Sequence, residues 1–211
     1  MSFTCCVACW VAFVGPFFSS SPSASRAPAG VIAAAVALTL LQDMAYFFAD
    51  SPQAVVRKSY GSHPFEEAKK IALYLRANSE PDDRIVVLGS EPQIYFYADR
   101  RAATGFLYTY PLMEPQPYAV QTQEDMIAQI EQEDPRFLVV VEVPHSWLPR
   151  KSSSHLIFDW ANRYVSAHYR CVGVADMISQ NLTAYRWGKE AEDYKAFSQF
   201  AVYLFARTAS R

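Results

Sequence analysis

Residues Glu91 to Tyr118 hold the densest set of side chains able to do chemistry: Tyr95, Phe96, Tyr97, Phe106, Tyr108, Tyr110 and Tyr118, with Asp99, Arg100 and Arg101 among them. Aromatic faces beside polar groups stack on sugar rings or rest at a membrane interface, and arginine forks pair bidentately with phosphate. Glu91, Tyr95, Tyr97, Arg100, Arg101, Tyr108 and Tyr110 are therefore the candidates to face a ligand or a lipid. Packing of the same rings into a core is the competing reading.

Other motifs are sparse. Gly89-Ser90-Glu91-Pro92 follows an apolar run and precedes a helical segment, a place where an open α/β sheet can turn backbone N–H groups toward an anion. Neither GxGxxG nor GxxxxGK[ST] occurs, so a structural turn is the plainer reading, and Ser90 lacks the flanking glycines of a nucleophile elbow. His63, His145, His155 and His168 fall in separate segments without metal-ligand spacing and read as caps or surface residues. Cys5, Cys6 and Cys9 crowd the apolar N-terminus while Cys171 stands apart, which gives neither a disulfide framework nor a metal-ligand pair. No metal and no cofactor is expected. Asn181-Leu182-Thr183 spells an N-glycosylation acceptor, a pattern short enough to recur by chance.

The elements that must position these residues follow from periodicity. Ser62 or His63 and then Pro64 open a helix with Glu66 and Glu67 in its first turn and a buried stripe of Ala68, Ile71, Ala72 and Leu75; Asn78 and Pro81 close it. Arg84–Leu88 and Phe137–Val141 are β-branched runs of the kind buried on both faces of a sheet. Helices are expected over 91–98, 124–133 and 156–168, a weak strand near 102–107, and strands near 169–177, 183–187 and 200–206. This order predicts an α/β fold, a helix-covered mixed sheet with antiparallel edge strands, preceded by one or two apolar N-terminal helices.

Charge divides the chain. Of 211 residues, the first 50 carry only Arg26, Asp43 and Asp50, so 18 of the 19 basic and 19 of the 21 acidic residues lie in the rest. Residues 1–28 read as an apolar stretch with a Ser/Pro linker, 29–50 as a membrane-spanning helix ending in an aromatic belt at Tyr46, Phe47 and Phe48, and 60–211 as the α/β domain. Arg26 on one side of the span and Arg57 with Lys58 on the other leave the positive-inside rule without a clear preference. A net charge of −2 provides no basic field for nucleic acid, and none is expected as a partner.

Residues 60–114, YGSHPFEEAKKIALYLRANSEPDDRIVVLGSEPQIYFYADRRAATGFLYTYPLME, resemble the extracytoplasmic C-terminal region of bacterial membrane glycosyltransferases related to the dolichyl-phosphate-mannose protein mannosyltransferases and lipid A aminoarabinose transferases. The likeness continues through Pro135–Val141, Ser146-Trp147 and Ile157–Trp160. It implies a soluble domain following the last helix of a membrane domain, in enzymes that move a sugar from a polyprenyl-phosphate donor. It also implies that the catalytic acid lies in an early extracytoplasmic loop with no counterpart here, so no catalytic residue is assigned.

The expected function is a membrane-anchored, non-catalytic part or accessory of such a transferase, its C-terminal domain extracytoplasmic, contacting acceptor, membrane lipid or a multi-helix glycosyltransferase subunit. An independent membrane-anchored α/β enzyme and a structural interaction domain are the alternatives.

Overall fold

A computed structural model describes residues 27–44, 48 and 51–208. The chain divides into two compact units, Met1–Ser51 and Pro52–Arg211.

In the first unit, α1 (Ala27–Gln42) is a 16-residue helix rich in alanine, valine and leucine, with neither an acid in its first turn nor a base in its last. It begins two residues before the expected span and takes in Pro28, whose missing N–H is tolerated in a first turn. At 1.5 Å per residue it reaches about 24 Å, short of a hydrocarbon core of about 30 Å. No helix among the described residues is long and apolar enough to cross a membrane. The apolar stretch 2–18, most of the Ser/Pro linker, and Ala45 to Phe47 lie outside the described residues.

The second unit opens with α2 (Pro52–Tyr60) and α3 (Phe65–Asn78), whose buried face is the expected stripe with Glu67 added to it. Then come β1 (Arg84–Leu88), α4 (Gln93–Ala98), β2 (Arg101–Ala102), α5 (Tyr110–Met113) and α6 (Ala119–Glu133). The remainder is β3 (Phe137–Glu142), α7 (Pro144–Trp147), α8 (Leu156–His168), β4 (Tyr169–Ser179), β5 (Leu182–Trp187), α9 (Lys189–Glu192) and β6 (Ala201–Arg207). Two helix ends have a visible cause: Asp99 and Asp134 adopt left-handed backbone after α4 and α6, and Pro135 forbids continuation of the second.

The strands form one mixed sheet in the order β2-β1-β3-β6-β4-β5. β2, β1 and β3 run parallel, with Val87 beside Val139; β6, β4 and β5 alternate, with Leu204 beside Val139 and Tyr185 beside Ala175. The expected strand over 102–107 shrinks to the two residues of β2, because the chain turns at Thr104, whose hydroxyl accepts the Phe106 N–H at 3.2 Å.

Each face of the sheet is buried under helices. On one side, Ala68, Ile71 and Leu75 of α3 and Ile94 and Ala98 of α4 cover Ile85, Val87, Val139 and Leu204. On the other, Leu112 of α5, Met126 and Ile130 of α6 and Ile157 and Trp160 of α8 cover Val86, Leu88 and Leu138. Burial on both sides is why β1 and β3 are unbroken apolar runs.

Candidate functional site

The two faces determine where the site lies. The chain leaving β1 passes to α4 on one face, and the chain leaving the adjacent β3 passes through α7 to α8 on the other. Neighbouring parallel strands whose exits part to opposite faces leave a crevice beyond their carboxyl ends, the usual ligand position in open α/β sheets. Here Gly89-Ser90-Glu91 enters it from β1, Val143–Trp147 from β3, and Thr109-Tyr110 from the start of α5.

Gly89 makes the close approach feasible. Its φ is +148°, and a Cβ there would lie 2.7 Å from Val141 Cβ and 3.0 Å from Ser146 Oγ. Ser90 N–H then donates to Ser146 Oγ at 2.8 Å and to the Ser146 carbonyl at 3.0 Å. Thr109 N–H donates to Ser90 Oγ at 3.0 Å and Thr109 Oγ1 donates to the Ser146 carbonyl at 3.1 Å, so the 3.0 Å contact between the two hydroxyls has Ser90 as donor. Ser146 Oγ donates to Glu91 Oε1 at 3.0 Å, and Gln93 Nε2 donates to Glu91 Oε2.

Glu91 is 3% exposed. Burial pushes its carboxyl above the usual range; the Gln93 and Ser146 donors work against that, and the charge of Glu67 adds to it. The Tyr110 phenol is also raised, by burial first and then by the Glu91 charge. At the rim Tyr110 OH donates to the His145 carbonyl at 3.3 Å, and its ring lies 6.2 Å from that of Tyr108. His63, from the turn before α3, brings its ring to 5.1 Å from that of His145, and burial followed by His145 lowers its pKa. Beside the crevice a cavity of about 350 Å³ is lined by Leu88, Val141, Val143, Trp147 and Phe158.

Ser146 and Glu91 have the form of a nucleophile and base, but Ser146 is 1% exposed and its oxygen already accepts the Ser90 N–H. The arrangement suits holding a polar group at the crevice mouth beside an apolar cavity. Among the described residues no group of three or more His, Cys, Asp or Glu side chains could hold a metal ion.

The residues singled out in the sequence do not share one place. Glu91, Tyr108 and Tyr110 meet at the crevice, Tyr108 being 51% exposed. Tyr95 belongs to the core: its hydroxyl accepts the Val87 N–H at 2.9 Å, and burial pushes its phenol up to about 12. Arg101 pairs with Arg84 in β1, at the opposite end of that strand from Glu91. Arg100 beside it is a clasp, donating to Ser79 Oγ at 2.8 Å, the Ser79 carbonyl at 2.7 Å and the Arg76 carbonyl at 3.2 Å. Tyr97 lies on α4 with Lys69 Nζ 5.6 Å from its ring centre. Thr109, Ser146 and the His63–His145 pair carry no local sequence signal, since their partners are dozens of residues away.

Fold and crevice together define an α/β domain with a buried polar cluster at the switch point of a mixed sheet. No protein-family model, curated protein or solved structure matches the chain.

Proposed function

We propose that this chain is a membrane-anchored, non-catalytic part or accessory of a polyprenyl-phosphate-sugar-dependent glycosyltransferase, and that its α/β domain, on the extracytoplasmic side, contacts the lipid-linked sugar or its acceptor through the β1/β3 crevice. The enzyme class rests on the resemblance of residues 60–114 and the later segments. The binding role rests on one observation: the segment Val143–Trp147, whose Val143 and Trp147 line an apolar cavity, also carries Ser146, which with Gln93 holds the buried Glu91 carboxyl. A polar head and an isoprenoid tail need that pairing of surfaces. Sugar transfer itself is assigned to a multi-helix membrane subunit.

The test uses the full chain in nanodiscs, titrated with a short-chain prenyl-phosphate glycoside and followed by tryptophan fluorescence, since Trp147 lines the cavity. Saturable binding that Tyr110→Ala weakens, without consumption of the glycoside, is the expected result. Turnover by the pure chain, or no saturable change, refutes the proposal.

A further inference from the structure

One carboxylate outside the crevice has no partner among the described residues. Glu142 ends β3, where its backbone pairs with Ala201 of β6 and its side chain shares a sheet face with Val140. That side chain makes neither a hydrogen bond nor an ion pair with a described residue. The residue is exposed, yet its carboxyl lies against apolar walls closely enough that lost solvation alone raises its pKa.

Glu142 and Asn162 of α8 line both the cavity of about 350 Å³ beside the crevice and a groove of about 190 Å³ between α8 and the β3–β6 pair. Val165, Tyr203 and Phe205 also line the groove, the last two with ring centres 6.1 Å apart. Burial first, and the Glu142 charge second, push the Tyr203 phenol up to about 12, so carboxylate and ring are within electrostatic reach. Among the described residues neither space is lined by lysine, arginine or histidine.

These surfaces select a class of ligand. An anion meets repulsion from Glu142, and a neutral molecule leaves the carboxylate without a counter-charge. A metal ion needs several oxygen ligands, and the walls are mostly carbon. An alkylammonium suits every part, because its N–H groups can donate to the carboxylate and the Asn162 amide oxygen while its charge faces aromatic rings.

We propose that the groove between α8 and the β3–β6 pair binds an alkylammonium, with the cation at Glu142 and Asn162 and the apolar stem along Tyr203 and Phe205. Glu91 lines neither space, and the site stands whether or not the crevice binds a lipid-linked sugar.

The probe is n-butylammonium chloride, added to the full chain in nonionic micelles and followed by amide NMR shifts, with sodium chloride and 1-butanol as controls. Signals of Glu142, Asn162 and Tyr203 should move together and saturate with butylammonium alone. Glu142→Gln, which keeps the shape and removes the charge at an exposed position, should weaken binding about tenfold with the melting temperature unchanged. Asn162→Ala, also exposed, should weaken it severalfold, which keeps the test valid if Glu142→Gln unfolds. Tyr110→Ala, which alters the crevice, should have no effect. A blocked glycine-lysine-glycine peptide identifies the source: tighter binding than butylammonium assigns the cation to a protein side chain, weaker binding to a small amine. An equal response to 1-butanol, no saturable shift at the groove amides, or wild-type affinity in both Glu142→Gln and Asn162→Ala overturns the proposal.

Discussion

Ser146 donates to Glu91 Oε1 at 3.0 Å across the gap between the ends of β3 and β1, while the same hydroxyl oxygen accepts the Ser90 N–H at 2.8 Å. One buried hydroxyl thus joins the two strand exits. Ser146→Ala removes both bonds and leaves Glu91 with the Gln93 donor, so the variant should unfold about 1–3 kcal/mol more easily in urea. Ser146→Thr, which keeps the hydroxyl but brings a methyl toward Gly89, should recover only part of this. An unchanged midpoint for Ser146→Ala would show that the bridge contributes nothing.

Glu91 gives the domain a pH dependence of definite sign. A carboxyl whose native pKa is raised by burial keeps its proton in the folded state after the unfolded chain has lost it. Stability is therefore greatest in acid and falls as pH climbs from the ordinary carboxyl range through the raised value. Wild type minus Glu91→Gln, measured by urea unfolding at a series of pH values, should decline across that window and then level off. A difference that rises with pH would contradict the assignment.

Asp176 has the opposite sign. It is buried in β4, and burial alone would raise its pKa; donors from Ser198, Phe197 and Tyr194 outweigh that and hold it below the usual carboxylate range. The Tyr194 hydroxyl lies at 2.9 Å, the Phe197 N–H at 2.7 Å and the Ser198 N–H at 3.2 Å. Its contribution is complete above the ordinary carboxyl pKa and disappears as pH falls through the depressed value. Asp176→Asn should cost about 2 kcal/mol near neutrality and less in acid, with the 193–200 connection becoming more sensitive to protease.

Arg100 and Arg101 should behave differently despite their adjacency. Arg100 fastens the end of α3 to α4 through Ser79 and Arg76, so Arg100→Ala should lower stability by about 1–2 kcal/mol. Arg101 is exposed, and Arg101→Ala should stay within about 0.5 kcal/mol of wild type. Thermal unfolding of the two single variants checks this; equal losses would remove the clasp from the account.

Much of the fold was legible because periodicity and punctuation agree. The α3 stripe, the β-branched runs of β1 and β3, and the full length of α8 follow from apolar spacing bounded by Gly, Pro and Asn. The first turn of α6 was hidden, since Ala119 to Gln123 shows no capping signal and the Tyr118 cap makes no side-chain bond. The placement of β6 inside the sheet was also invisible, because strand order depends on long-range pairing. Glu91 was named as a ligand- or lipid-facing candidate from its type and setting, and its burial was not visible. Its partner Ser146 was not named, being 55 residues distant. Glu67 misled for a physical reason: an acid in a first turn ordinarily complements the helix dipole in solvent, and here Arg57 and Thr183 draw it inside.

The position of β6 has a consequence for how the domain is made. Phe137 pairs with Ala206 and Glu142 with Ala201, while the same strand pairs with β4 on its other side. A nascent chain emerging N-terminus first can assemble the parallel half and the β4–β5 hairpin, but the two stay unjoined until residues 201–207 arrive. During that interval β3 and β4 each present an unpaired apolar edge, a template for strands of other copies. A product ending before Ala201 would keep both edges permanently and should aggregate, so the quality of the last strand decides the yield of the whole domain.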